Sequence, residues 1–397
     1  MKNLPRILFS GLLLIAVAAQ SQEEFVEPPS RTLTTIRFIQ LTGGVIIVNA
    51  KLDDFPDTLN FIMDTGSSGI SLDSATVEYF NLKPTPTDRT IRGIAGVKKV
   101  GFLYKRKLSF NNYQVTDLDF HVNDYSVLSA VYGIRIDGII GFAVFNRYIL
   151  KVNYDSLRID ICSQGTIRYP KGGFLLKPVI GTLPVHRARV KDQGTFDTRF
   201  LHDMGAAVCI MLSKDFVEDS GLLRKKRKLY PKEGEGIGGK ISMNITILRE
   251  LKIGPYRFKN IPAYIFEDKF NVTSYPYQGG LIGNDIFRRF NVIFNYEKRD
   301  IYLTPNSHFK EPFNYAYVGM EIYTQDEKIF VGGISKGSPA DAAGLKDEDI
   351  IIAINNDFSQ NFDHYKSLLQ TENEKLRMII RRNGELMQIQ IKVKKLL

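Results

Sequence analysis

Two short segments place acids where acids do chemistry. Asp64 lies in Phe61-Ile62-Met63-Asp64-Thr65-Gly66-Ser67, and Asp203 in Phe200-Leu201-His202-Asp203-Met204-Gly205-Ala206. In each, an apolar stretch runs into Asp, one further residue, Gly and a small residue. A strand ending in Asp and Gly turns tightly and projects a short carboxylate. One such turn is a common structural device. Two in matching surroundings imply carboxyls brought together by symmetry. Neighbouring carboxyls cannot both ionise easily, so they share one proton. The charged member takes a proton from water while the neutral one donates to a carbonyl oxygen. That is amide hydrolysis needing neither a covalent intermediate nor a metal or organic cofactor. The other chemical candidates are weaker. Five scattered histidines offer no zinc quartet, and Cys162 and Cys209 are too far apart for a redox or metal pair. Cys209 is expected in the core and Cys162 at the close of the first lobe; a disulfide between them, open to an exported chain, is not the expected state. His202 should face away from Asp203 if its strand alternates. Asp137 and Asp285 are expected in solvated or turn roles.

The elements that position these acids repeat. Residues 137–161 align without a gap on 279–303, with Gly138, Ile140, Gly141, Phe145, Arg147, Asn153, Tyr154 and Ile159 recurring 142 positions later. Each copy predicts a hydrophobic strand, a glycine, a short helix and a closing hairpin. Upstream, Gly93-Ile94-Ala95-Gly96 has a counterpart in Gly236-Ile237-Gly238-Gly239. The repeat predicts two related, strand-rich lobes at about 30–165 and about 180–306.

These motifs resemble the aspartic proteases, more the retropepsin-like than the pepsin-like ones. No tyrosine lies between Ile91 and Val100, where a pepsin-like flap carries one. The resemblance implies a mainly β fold, a pair of β-barrels in one chain. It implies that Asp64 and Asp203 form a dyad activating water, and that Gly66 and Gly205 supply backbone amides beside it. It also implies that the glycine-bracketed hairpins are flaps whose tips, Ile94 and Ile237, close over a peptide, and that Ile139-Ile140-Gly141 and Leu281-Ile282-Gly283 buttress the turns. The family's second turn usually has Thr or Ser where Met204 stands; the two hydroxyls there cross-brace the turns. Thr65 keeps one half of that brace. Ala206 replaces Ser67, which retropepsin-like turns tolerate. The alternative reading is a catalytically inactive peptide-binding protein of the cell envelope.

Past Pro305 the grammar changes, and Pro312 marks a boundary. Residues 315–397 read strand, strand, short helix, strand, longer helix, strand pair, with Ser338 capping a helix that Gly344 ends. The Gly337-Ser338-Pro339-Ala340, Ala343-Gly344-Leu345 and Ile354-Asn355 series resembles a bacterial-type PDZ domain, a small α+β unit. The resemblance implies that Val318, Gly319 and Met320 form a carboxylate-capturing loop. Glu321 and Ile322 then begin an edge strand that receives a C-terminal or extended peptide. His364, Tyr365 and Leu368 are expected to wall that groove; a purely structural cap is the other reading.

Lys2 and Arg6, an apolar run from Ile7 to Ala19 and the polar Gln20-Ser21-Gln22 have the layout of a signal peptide over 1–21. About 13 apolar residues span a bilayer poorly, so cleavage and export, periplasmic or extracellular, are expected rather than an uncleaved anchor. The net charge of +10 has one dense cluster, Arg224 to Lys228, expected as a solvated loop. Partners are therefore expected to be peptides or proteins, not nucleic acid. The 44% hydrophobic content excludes wholesale disorder.

Overall fold

The structure is a computed structural model describing residues 27–223, 226–236 and 238–395. The segment expected to be the signal peptide, the flap-tip Ile237, and Arg224 and Lys225 of the basic cluster lie outside the described residues.

The first lobe runs through Ile46–Leu52, β1 (Leu59–Met63), Ile70–Asp73, a projecting hairpin of β2 (Thr90–Gly93) and β3 (Gly96–Lys99), Phe102–Phe110, Tyr113–Asn123, helix α1 (Ser126–Tyr132) and β4 (Gly138–Ile140). Pairing passes from Ile46–Leu52 through β1, β4, Ile70–Asp73, Tyr113–Asn123 and Phe102–Phe110 back to Ile46–Leu52, closing a six-stranded barrel. Strand β5 (Ile149–Asn153) and Arg158–Cys162 form the closing hairpin. The second lobe repeats the plan with Pro184–Lys191, β6 (Thr195–His202), Ile210–Ser213, a long hairpin of β7 (Tyr230–Gly236) and β8 (Gly239–Ile253), Tyr256–Phe266 and β9 (Gly280–Ile282). It too closes with six strands, β8 pairing back to Pro184–Lys191. Strand β10 (Phe290–Asn295) pairs with Asp300–Pro305 as the second closing hairpin.

Alternation explains how such strands fill a barrel. Along Pro184–Lys191, His186, Ala188 and Val190 are buried while Arg187, Arg189 and Lys191 face out. The duplication is also geometric. Strands β5 and β10 pair antiparallel as Leu150 with Phe294, Lys151 with Ile293 and Val152 with Val292. Lys151 and Ile293 are equivalent positions of the 142-residue repeat, so the pseudo-twofold axis passes between them. Asn284 adds a tie across the axis: its amide donates to the Gly44 carbonyl at 2.5 Å and accepts from the Tyr154 hydroxyl at 2.9 Å.

The third unit is a five-stranded antiparallel sheet with two short helices. Its strands are β11 (Glu321–Gln325), β12 (Lys328–Gly332), Ile350–Ile354, Lys375–Arg382 and Glu385–Lys392; helix α2 (Phe362–Leu368) packs on them. The Ser338 hydroxyl accepts the Asp341 amide at 3.2 Å and caps the helix Pro339–Ala342. Strand β11 is the sheet's edge. Among the described residues no helix is long and apolar enough to cross a membrane.

Candidate active site

Each aspartate follows the buried end of a strand, β1 or β6. The fold fixes both turns in the same way. The Asp64 amide donates to the Ile140 carbonyl at 2.9 Å, and the Asp203 amide to the Ile282 carbonyl at 3.0 Å. Behind each turn a glycine leaves room for backbone: a Cβ on Gly141 would lie 2.3 Å from the Ser67 carbonyl oxygen, and one on Gly283 2.3 Å from that of Val208. The apolar-apolar-Gly segments thus buttress the turns by lacking a side chain.

The two acids meet at the axis, facing each other within hydrogen-bonding reach. A Cβ on Gly66 would sit 2.7 Å from the Asp203 carboxyl carbon, and one on Gly205 2.5 Å from that of Asp64. Each lobe's glycine therefore makes space for the other lobe's acid. The Gly66 amide donates to Asp64 Oδ1 at 2.6 Å; Gly205 and Ala206 amides donate to Asp203 Oδ1 at 2.9 and 3.1 Å. Burial pushes the proton affinity of both carboxyls above the ordinary value of 3.8. Asp203 is lifted well above it, by burial first and then by the charge of Asp64. The pair accordingly holds one proton over a range where isolated aspartates are ionised.

Thr65 braces the turns alone. Its hydroxyl donates to the His202 carbonyl at 2.6 Å and accepts the Met204 amide at 3.0 Å. Met204 points into the apolar core, fully buried.

Above the dyad the hairpins meet tip to tip. A Cβ on Gly236 would lie 2.3 Å from Ile94 Cγ2, and one on Gly238 2.2 Å from the Gly96 nitrogen. Beneath them runs a cavity of about 1130 Å³ lined by both aspartates, Ile94 and apolar side chains of both lobes. Sequence reading missed those walls, although alternation holds the signal. Ile62 and Leu201 stand two residues before each aspartate and share its strand face; Ile139 and Leu281 are their neighbours in β4 and β9. Tyr132 of α1 was also missed. It lines the cavity, and burial followed by the charges of Asp64 and Asp203 pushes its hydroxyl pKa up.

The sequence model of the aspartyl protease family matches residues 48–144 and 187–286, one stretch in each barrel. The chain belongs to that family. A PDZ domain model matches residues 330–382, and the third unit is a PDZ domain. No curated protein matches the chain closely enough to count as a relative.

The remaining expected residues fall at known places around this aspartyl protease core. Asp137 and Asp285 lie outside the dyad. Asp137 accepts from the Thr76 hydroxyl at 2.7 Å and the Asn60 amide at 2.8 Å, and Asp285 from the Cys209 thiol at 3.0 Å and Arg288 at 2.7 Å. Cys162 and Cys209 are buried free thiols. His202 turns from the dyad and stacks on Phe287, ring centroids 3.4 Å apart. Arg227 is not solvated as expected of the basic cluster: its guanidinium meets the buried Asp192 at 2.5 Å and donates to the Ile247 carbonyl. In the PDZ domain Val318, Met320 and Ile322 are buried in its core, and the Gly319 carbonyl accepts the Ser335 amide at 2.8 Å. Glu321 and Ile322 line the cavity. The groove wall differs from expectation. Tyr365 is fully buried with its hydroxyl donating to the Asp357 carbonyl, while Lys366 and Gln370 line the cavity instead. Alternation of faces along α2 sends Tyr365 inward and Lys366 outward.

Proposed function

We propose that the protein is an aspartic endopeptidase, hydrolysing peptide bonds through a water held between Asp64 and Asp203. The observation that carries this reading is the dyad itself: two carboxyls, one per lobe, within reach of each other and each seated against the other lobe's glycine. The ionised carboxyl takes a proton from the water as its oxygen attacks the carbonyl carbon. The protonated carboxyl donates to the carbonyl oxygen, giving a tetrahedral diol. Collapse of the diol, with a proton passed to the amide nitrogen, breaks the C–N bond and returns the shared proton to the pair. Closed flap tips keep bulk water from the site and hold the peptide extended beneath them. The apolar walls at Ile62, Leu201, Ile139 and Leu281 favour substrates with apolar side chains beside the scissile bond.

Met204 does not argue for the inactive alternative. The Thr65 brace spans both turns, and both carboxyls keep their amide donors. The amino-terminal layout supports export, with cleavage in the periplasm or outside the cell. The test is cleavage of a peptide library by the purified mature chain beside Asp64→Asn and Asp203→Asn. Loss of every product in both variants is expected; unchanged products would remove the dyad from the mechanism.

A further inference from the structure

The PDZ domain touches both halves of the cleft. Toward the first lobe, the Thr324 hydroxyl of β11 donates to the Ala130 carbonyl at 3.2 Å, and Lys366 Nζ of α2 to the Val131 carbonyl at 3.2 Å. Gly133, which ends α1, lies against the Phe362 ring, where a Cβ would come within 2.5 Å. The last turn of α1 thus sits between β11 and α2, the two walls where a peptide would add to the sheet. Toward the second lobe, the Glu321 carboxylate meets Lys232 of β7 at 2.5 Å. The Tyr317 and Ser335 hydroxyls both donate to the Pro231 carbonyl, at 2.7 and 2.9 Å. One edge strand therefore bridges α1 of one lobe and the flap strand of the other, and the cavity above the dyad extends to it, with Thr324 and Lys366 in its lining.

We propose that the PDZ domain is a strap across the cleft, and that an extended acidic peptide pairing with β11 releases it by displacing the α1 turn. The proposal rests on reading the cleft as a substrate site, and it commits to a ligand chemistry. The edge of β11, unpaired with any strand and covered by the α1 turn, supplies backbone groups for an incoming strand once that turn is displaced. Lys366 supplies an ammonium that meets the Val131 carbonyl and the rings of Tyr132 and Phe362, at 5.8 and 5.4 Å; the charges of Glu321, Lys232 and Asp363 reach it, but among the described residues no carboxylate lies within 4 Å. Burial lowers its pKa, so a carboxylate there would be favoured. The carboxylates of the same peptide would compete with Glu321 for Lys232 and so unfasten the flap strand. Substrate access and PDZ occupancy become linked through one contact surface.

Hydrogen exchange on the full chain carrying Asp203→Asn tests this without any need for turnover. The probe is the decapeptide (Val-Glu)5, compared with (Val-Gln)5. Saturating (Val-Glu)5 should speed exchange in residues 126–133 and 230–243 about tenfold, and (Val-Gln)5 should do less; no change, or protection, in both segments overturns the proposal. The variant Glu321→Lys should speed the same segments without peptide, and Lys232→Glu added to it should restore slow exchange; a Glu321→Lys chain that exchanges like its parent counts against the strap. In the active chain, Thr324→Val with Lys366→Met should raise kcat/KM about fivefold for unfolded casein and under twofold for a short peptide. Equal effects on both overturn access control. If exchange responds as stated but no variant or parent cleaves anything, the strap stands and the hydrolase reading fails.

Discussion

At the scale of residues, the dyad is defined by what surrounds it. Both carboxyls are pushed above 3.8, Asp203 further than Asp64. Turnover needs one proton on the pair. Activity therefore falls in acid, where the second carboxyl is protonated, and in base, where both are ionised. Because both proton affinities are raised, both limbs of a bell-shaped kcat/KM profile are expected above pH 3.8. A profile whose acid limb lies below that value would contradict the burial that the geometry gives these groups. Removing one acid as Asp203→Asn should cut kcat by about 10³-fold or more, within the span of general acid–base catalysis. Thr65→Val leaves the His202 carbonyl and the Met204 amide without their buried partner. It should cost about 1–3 kcal/mol in chemical denaturation and lower kcat by loosening the turns. Met204→Thr runs the other way. It adds a hydroxyl near the first turn, worth about 1 kcal/mol if it finds partners, and it gives up apolar volume in a fully buried site. Turnover within threefold of the parent, with stability equal or lower, is the expected result; a large gain in kcat would show that the natural turn is impaired by Met204.

At the scale of elements, the flaps approach closely because glycines flank the contact between their tips. Gly238 has φ of +106° and faces the Gly96 nitrogen. Gly238→Ala adds a methyl where 2.2 Å is available, so the tips must part. A raised KM with little change in global stability is expected from steady-state kinetics and thermal melts; an unchanged KM would mean that tip contact has no part in holding substrate. The elements differ in how legible they were. The two strand-rich lobes, the paired turns, the short helices after Gly141 and Gly283 and the order of strands in the PDZ domain could all be read from the repeat, from glycine spacing and from capping residues, while closure of the lobes into barrels came only from the family resemblance. Those signals are local, and duplication writes them twice. The place of α1 against β11 could not be read. Neither Ala130 nor Thr324 belongs to a motif, and their contact depends on how two separately folded units settle on each other. Tyr365 and Lys366 show the same limit at finer grain: the helix was expected, but one step in its phase decides which side chain faces the groove. The Tyr132 ring near the dyad was hidden for that reason too, since it reaches the cleft from a helix outside the barrel.

At the scale of the whole molecule, two buried clusters make stability respond to pH in opposite senses. Asp64 and Asp203 have raised affinities, so the folded chain binds more protons than the unfolded one from pH 3.8 up to their folded values. Stability from this source falls as pH rises through that window. His186 and His202 act the other way. They lie with ring centroids 5.6 Å apart in the second lobe, His202 stacked on Phe287, and neither nitrogen of the His202 ring has a hydrogen-bond partner. Burial lowers His186 to about 4 and His202 well below its ordinary 6.5, the latter also through His186. Below pH 6.5 the unfolded chain takes up protons that the folded one refuses, so stability is lost as pH falls from 6.5 toward 4. At about 1.4 kcal/mol per pH unit, one such histidine removes about 2 kcal/mol between pH 6.5 and 5. His202→Phe keeps an aromatic ring on Phe287 and discards the two unpaired nitrogens. Its melting temperature should exceed that of the parent by more at pH 5 than at pH 7.5, while the loss of stability above pH 3.8 that comes from the dyad stays in place. Parallel pH curves for parent and variant would mean that the histidine pair is hydrated in solution and does not set the acid limit of this fold. An acid limit set in the second lobe bears directly on catalysis. The strand that carries His202 delivers Asp203, so protonating the histidine pair strains the element that holds one half of the dyad.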